Sequence, residues 1–296
     1  MAIPDNQLET WSYQGSATQS KTTYSTIKNT LEATDAPYAG KSYTSFLQGS
    51  YGNDTNIYAD SDVDVVMRVD SVYYSDIENP SEADKANFNR AWSAATYTLD
   101  DFKRDVTAHL TKKFGSSVTP GSKAIFIKGN GSRRDADVLP CAEFRRYRKF
   151  SASYEQAYEE GICFFLKDGT RIENFPKQHS EHCTNKHQLT TQWFKPTVRV
   201  YKNLRNKMID NGLIDEGLAP SYYLEGLLYN VPPDRFGGGQ VANFTDTLNW
   251  MIQADRSKFV CANKQFYLLN DYSPVTWRAA NCDKFLNAAV DLWNQW

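Results

Sequence analysis

Asp62 and Asp64 stand two apart in "ADSDVDVVMRV", whose valines read as a strand, so both carboxylates leave one face while Val63 and Val65 leave the other. Two carboxylates held side by side repel unless a cation neutralises them. Mg²⁺ suits such a pair, because it takes oxygen ligands, binds through one or two protein carboxylates and completes its shell with water and substrate phosphates. Asp60 shares their parity, so alternation does not separate it from the other two. Upstream, Gly49 and Ser50 follow the apolar strand end Phe46-Leu47-Gln48, and glycine lets backbone amides approach a phosphate closely. "RDADVLP" adds Asp135 and Asp137, which again alternate onto one strand face. Together these residues suit two metal ions acting in line at phosphorus, one activating a hydroxyl and one steadying the leaving pyrophosphate.

The elements that must position these groups are legible as patterns. "YTSFLQG", "DVDVVMRV", "AIFIK" and "RDADVLP" read as strands, and "GICFFLKDGTRIENF" as a hairpin with Asp168-Gly169 in a type I′ turn. In "TTYSTIKNTLEAT" (22–34), Thr23, Ile27 and Leu31 share a helix face; in "TLDDFKRDVTAHLTKKFG", Phe102, Val106 and Leu110 do, with Gly115 as the stop. From Thr190 onward the period is helical. "WFKPTVRVYKNLRNKMIDNG" ends at Asn211-Gly212, "PSYYLEGLLYNVPP" lies between Pro220 and Pro232-Pro233, a last helix runs from about Trp277 to Trp296, and "RFGGGQ" is a loop between helices. A mixed strand-and-helix core over 1–188 and a helical lobe over 189–296 are expected from this change of period.

Composition narrows the partners. A formal net charge of −2 over 296 residues argues against a broad polyanion-binding surface, so a nucleotide must be met by local cations and no stable nucleic-acid partner is expected. The N-terminal residues carry no basic and apolar leader, and no stretch nears eighteen apolar residues, so the reading is cytoplasmic with no membrane span. Five scattered cysteines without a CxxC fit reduced thiols. Lys195, Arg199 and Lys202, spaced i, i+4 and i+7, form a cationic helical stripe.

With these features in order, "FLQGSYGNDTNIYADSDVDVVMRV", "ADVLPCAEFRRY", "KPTVRVYKNLRN" and "APSYYLEGLLYNVP" together resemble the bacterial cGAS/DncV-like nucleotidyltransferases, most closely the CdnE type. The likeness runs from "NQLETWSYQG" to the final tryptophans. It implies an α+β fold: a polymerase-β-like core with a mixed sheet, plus a helical C-terminal lobe that binds substrate. It implies a template-independent, Mg²⁺-dependent enzyme (two ions, with Mn²⁺ able to substitute) that joins ribonucleoside triphosphates into a cyclic dinucleotide second messenger for anti-phage defence (CBASS), read by a separate effector.

The CdnE likeness favours UTP with ATP, or UTP alone, and a monomer; the rivals are nucleotidylation of a protein or small molecule, and a silent nucleotide- or RNA-binding protein. By resemblance, Asp62, Asp64 and Asp137 are the metal-binding catalytic carboxylates, leaving Asp60 and Asp135 outside. Gln48, Gly49 and Ser50 meet the phosphates, Lys202 and then Lys195 reach the triphosphate, Ser221 and Tyr222 bind phosphate and base, and Asn174 reads a uracil edge.

Three motifs are set aside. "HSEHCTNKH" gathers His179, His182, Cys183 and His187, but without a second cluster at zinc-finger spacing these read as surface or hydrogen-bonding groups. "RRYRK" (145–149) either binds nucleic acid or packs against acidic neighbours, and "KGNGSRR" reads as a hairpin turn.

Overall fold

The computed structural model describes residues 2–15, 18–58 and 62–296. Along the chain, α1 (Asp5–Ser12) and α2 (Thr18–Leu31) precede β1 (Tyr43–Leu47), the single turn α3 (Gly49–Gly52) and the long β2 (Val63–Asp76). Helices α4 (Glu82–Ala91) and α5 (Leu99–Phe114) lead to β3 (Val118–Pro120), β4 (Ile125–Ile127), β5 (Ala136–Ala152), β6 (Glu155–Phe165) and β7 (Arg171–Asn174). The longer elements that follow are all helices: α6 (Pro176–Leu189), α7 (Phe194–Asp210), α8 (Ser221–Asn230), α9 (Gln240–Gln253) and α10 (Ala279–Gln295).

Contacts divide the described residues into two compact units, one drawn from 18–48 and 62–176, the other from 1–17, 49–61 and 177–296. This partition differs from a single boundary at 188/189. In the segment after Gly49, Asn53 and Thr55 donate to Glu225 of α8 and Asp54 and Thr55 accept from Lys195 and Lys202 of α7, and α6 buries His179 and Cys183 with that helical group.

In the first unit the strand order is β1-β2-β5-β4-β3, with β6 beside the later part of β5 and β7 beyond it. Only the β2–β5 pair is parallel among the described strands. Val63, Val65, Val66, Met67 and Val69 are all buried, the continuous apolar run of a strand covered on both faces. Helix α5 starts with a capping box: the Thr98 hydroxyl accepts the Asp101 N–H while the Asp101 carboxylate accepts the Thr98 N–H. Its buried Phe102, Val106 and Leu110 form the expected stripe, and Gly115 ends it at φ 59°.

Helix α2 begins at Thr18, four residues before the stretch read from sequence, and buries Thr23, Ile27 and Leu31. The β6–β7 connection departs from the expected type I′ turn. The Gly169 N–H donates to Leu166 O, and among residues 167–169 only Gly169 has a positive φ, so the loop is a three-residue type I turn closed by a left-handed glycine.

The second unit is a helical core. Phe194, Val198, Tyr201, Leu204 and Met208 of α7 are fully buried against Leu224, Leu227 and Leu228 of α8, Phe244 and Met251 of α9, and Phe285 of α10. Each such side chain contributes about 1.5–3 kcal/mol of burial. Residues 237–239 of the "RFGGGQ" loop all have positive φ, which only glycine adopts freely, and α9 starts at once after them. All five cysteines are buried without a disulfide, and no helix among the described residues is long and apolar enough to cross a membrane.

Candidate active site

The parallel pairing of β2 with β5 matches Val63 to Ala136, Asp64 to Asp137 and Val65 to Val138. Residues in register share a face, so the valines and alanine are buried on one side and Asp64 and Asp137 stand together on the other, half-buried. The Val63 N–H donates to Asp135 O at 3.0 Å, which fixes this register at the strand mouth. Asp62, one residue before β2, is exposed. The Asp137 carboxyl titrates above its ordinary range, first because it is partly buried and then because Asp62 and Asp135 bear negative charge beside it. A divalent cation would relieve that repulsion, and three carboxylates are the hard oxygen donors such an ion takes.

The structure separates Asp135 from Asp137 by partner. An Asp135 oxygen accepts the Gly129 N–H and so caps the turn in which Asn130 and Arg133 pair, the hairpin expected for "KGNGSRR". A Cβ on Gly129 would lie 2.5 Å from Arg133 O, so this turn tolerates only glycine. Asp60 lies outside the described residues. Gln48, at the end of β1, donates its N–H to Asp64 O at 2.9 Å, and its side-chain Oε1 is buried without a hydrogen-bond partner among the described residues.

Gly49 and Ser50 open α3 in the helical unit, Gly49 at φ 70°. Their carbonyls are held from within the same loop: the Asn53 N–H donates to Gly49 O at 3.1 Å and the Thr55 N–H to Ser50 O at 2.9 Å. The side chains of those two residues in turn reach α8, where Asn53 Nδ2 donates to Glu225 Oε2 at 3.1 Å and Thr55 Oγ1 to Glu225 Oε1 at 2.5 Å. Behind Glu225 stands His179 of α6, its Nε2 2.6 Å from Oε2.

Burial alone would lower the His179 pKa, but Cys183 and Glu225 raise it to about 10. Burial would raise Glu225, yet His179, Thr55 and Lys202 hold it below the usual carboxylate range. "HSEHCTNKH" is therefore part of a helix, with His179 and Cys183 buried rather than at the surface. His179, Cys183 and Glu225 bring potential metal donors within 4.8 Å of one another, but a 2.6 Å contact between Nε2 and Oε2 has a proton, not an ion, between those two atoms.

The cationic stripe of α7 turns towards the same loop. Lys202 is fully buried and its Nζ donates to Thr55 O at 3.1 Å. Lys195 Nζ lies 3.0 Å from Asp54 Oδ2, and Arg199 donates to both Ser12 O and Asp54 O at 2.6 Å. Asp54 itself sits at φ 55°, a left-handed conformation uncommon for non-glycine residues but one that Asp adopts more readily than most. These cations brace the backbone after the Gly-Ser turn.

Tyr222 stacks on His179 at 4.8 Å and its hydroxyl accepts from Asn263 Nδ2 at 2.9 Å, a packed aromatic; Tyr223 stacks on Trp277. The Ser221 hydroxyl accepts from Arg205 Nη1 at 3.0 Å. Asn174 ends β7, with its Oδ1 accepting the Phe175 N–H at 2.8 Å. "RRYRK" lies on β5 against acidic neighbours, Arg146 on Asp76 and Glu173, Arg148 on Glu159 and Lys149 on Glu155.

Sequence reasoning missed Glu225, His179, Asn53 and Thr55. The available signal was one carboxylate inside the apolar run Tyr222–Tyr229, which a buried helix tolerates only with partners.

Residues 181–294 match the family model of the cGAS/DncV-like nucleotidyltransferase C-terminal helical domain. Over 298 residues the chain is 40% identical to the cyclic UMP-AMP synthase of Rhodothermus marinus, covering all of this chain and 99% of that protein. The chain is a CdnE-type cGAS/DncV-like nucleotidyltransferase. Another relative of this family, the cyclic nucleotide synthase CdnE01 of Staphylococcus haemolyticus, is 36% identical over the full length of both. The solved structure of the Rhodothermus marinus CdnE c-UMP-AMP synthase with Apcpp and Upnpp superposes with a TM-score of 0.88 at 37% identity, covering 99% of this chain and 97% of that one. Nucleotidyltransferases of this fold use a divalent metal, which the Asp62, Asp64 and Asp137 donor set accommodates.

Proposed function

We propose that this CdnE-type nucleotidyltransferase joins ATP and UTP into cyclic UMP-AMP, with cyclic di-UMP as the product when UTP is the only substrate. The observation that carries the reading is the registration of Asp64 against Asp137 on parallel strands, with Asp62 beside them. Gly49 and Ser50 hold the donor triphosphate through backbone amides, with Gln48 beside them. Two bound Mg²⁺ ions (or Mn²⁺), held by Asp62, Asp64 and Asp137, would supply charge neutralisation at the phosphates and acidify the attacking hydroxyl. Asp137 takes the proton of the acceptor 3′-hydroxyl, the oxygen attacks the α-phosphorus in line, and pyrophosphate leaves. A second turnover on the linear product closes the ring.

Asn174 presents its carboxamide to the uracil edge; Ser221, Tyr222, Lys195 and Lys202 shape the remaining nucleotide contacts. The enzyme works as a cytoplasmic monomer, and its product is read by a separate effector in anti-phage defence.

The test is incubation with all four ribonucleoside triphosphates and Mg²⁺ or Mn²⁺, followed by phosphatase treatment, mass spectrometry and nuclease digestion. A uridine-containing, phosphatase-resistant dinucleotide is expected. Asp64→Asn and Asp137→Asn should each lower its rate by at least about 100-fold without lowering the Tm. No phosphatase-resistant dinucleotide from the wild type, or a wild-type rate in both variants, would overturn the reading.

A further inference from the structure

We propose that Glu225 is a positioning residue for the Gly49–Ser50 turn, with His179 as the counter-ion that keeps it charged and aimed. The proposal rests on the assignment of that turn as the phosphate seat of a synthase. Glu225 and His179 are each 3% exposed and Thr55 is 0% exposed, so this is a desolvated set of groups with no water to replace a lost partner.

The connection is continuous atom by atom. Glu225 Oε1 receives the Thr55 hydroxyl, and the Thr55 N–H holds Ser50 O; Glu225 Oε2 receives the Asn53 amide, and the Asn53 N–H holds Gly49 O. One carboxylate thus fixes both carbonyls of the Gly-Ser pair through two side chains. Neither oxygen is spare, since His179 Nε2 shares Oε2 at 2.6 Å.

The charge matters as well as the geometry. A carboxylate accepts from all three donors at once, whereas a carboxamide in its place has one acceptor oxygen and must turn its N–H₂ towards one of these groups. A buried carboxylate without a cation would be costly, and His179 and Lys202 provide the compensation, as the lowered Glu225 pKa reflects. The stack of Tyr222 on the imidazole holds that ring in place, which gives this aromatic a part in the phosphate seat.

The deciding variants lie on the loop side, where the helical core is untouched. In the full chain, Thr55→Val keeps the shape and removes the hydroxyl, and Thr55→Ser restores it. With pyrophosphate release as the assay, Thr55→Val should raise the KM for ATP and UTP by roughly tenfold, the weight of one hydrogen bond to a charged group, and Thr55→Ser should return it to within about twofold of wild type. A merely structural role would lower the Tm and the yield of active protein while leaving KM unchanged.

Glu225→Gln should raise KM at least as far, and Thr55→Val added to it should raise KM little further, because both act through one contact. If Glu225→Gln does not fold, the Thr55 pair still decides. A wild-type KM in Thr55→Val, or no recovery in Thr55→Ser, overturns the positioning role while leaving the synthase intact. A wild-type chain that forms no cyclic product overturns the synthase reading, and the positioning role with it.

Discussion

At the scale of single residues, ionised groups divide into those facing a ligand and those facing the fold. Asp64 and Asp137 are proposed for the first set, and Asp137 titrates high because it is partly buried and lies beside the negative charges of Asp62 and Asp135. Glu225 and His179 belong to the second, and their titration has a readable sign. A histidine whose folded pKa is raised stabilises fully below its unfolded value of 6.5 and loses that contribution as the pH rises through about 10. The Tm difference between wild type and His179→Gln is therefore expected to be widest below 6.5 and to close as the pH rises through about 10. A difference that stays constant across that range would mean that the imidazole is not charged in the fold.

At the scale of elements, α7 is a brace. Arg199 joins Ser12 O and Asp54 O with two different nitrogens, a reach that a single ammonium does not reproduce. Arg199→Lys should destabilise the chain by about 1–3 kcal/mol, read as a lower urea midpoint with an unchanged slope. The stripe of Lys195, Arg199 and Lys202 was visible as a helical spacing, but its target was not, because a spacing says which residues share a face and not what lies across from it.

The same limit explains the other differences. Strand alternation placed Asp64 and Asp137 on one face each, while the pairing of β2 with β5 that sets them in register could be inferred only from a family pattern, since the two are separated by a helix pair and two strands. Helix α6 has no pattern that announces it, because its sequence, "PKQHSEHCTNKHQL", is polar almost throughout and shows no apolar stripe; it folds by burying His179, Cys183 and the stem of Lys186 instead. The turn at Gly169 was placed correctly, while its type depends on the φ of Asp168, which sequence leaves open.

At the scale of the whole molecule, the helical unit is assembled from three stretches of chain. Residues 189–296 expressed alone would leave the buried cations of α7 without the carbonyls of Ser12, Asp54 and Thr55. That fragment is expected to show no cooperative thermal transition by circular dichroism, whereas the full chain shows one; a sharp transition in the fragment would refute this account. Interleaving also constrains how such proteins can be recombined. A chimera that exchanges only the C-terminal half between relatives would separate Glu225 from the Asn53 and Thr55 that hydrogen-bond it. A designer grafting this lobe must therefore carry the loop of residues 49–58 and the N-terminal helix along with it.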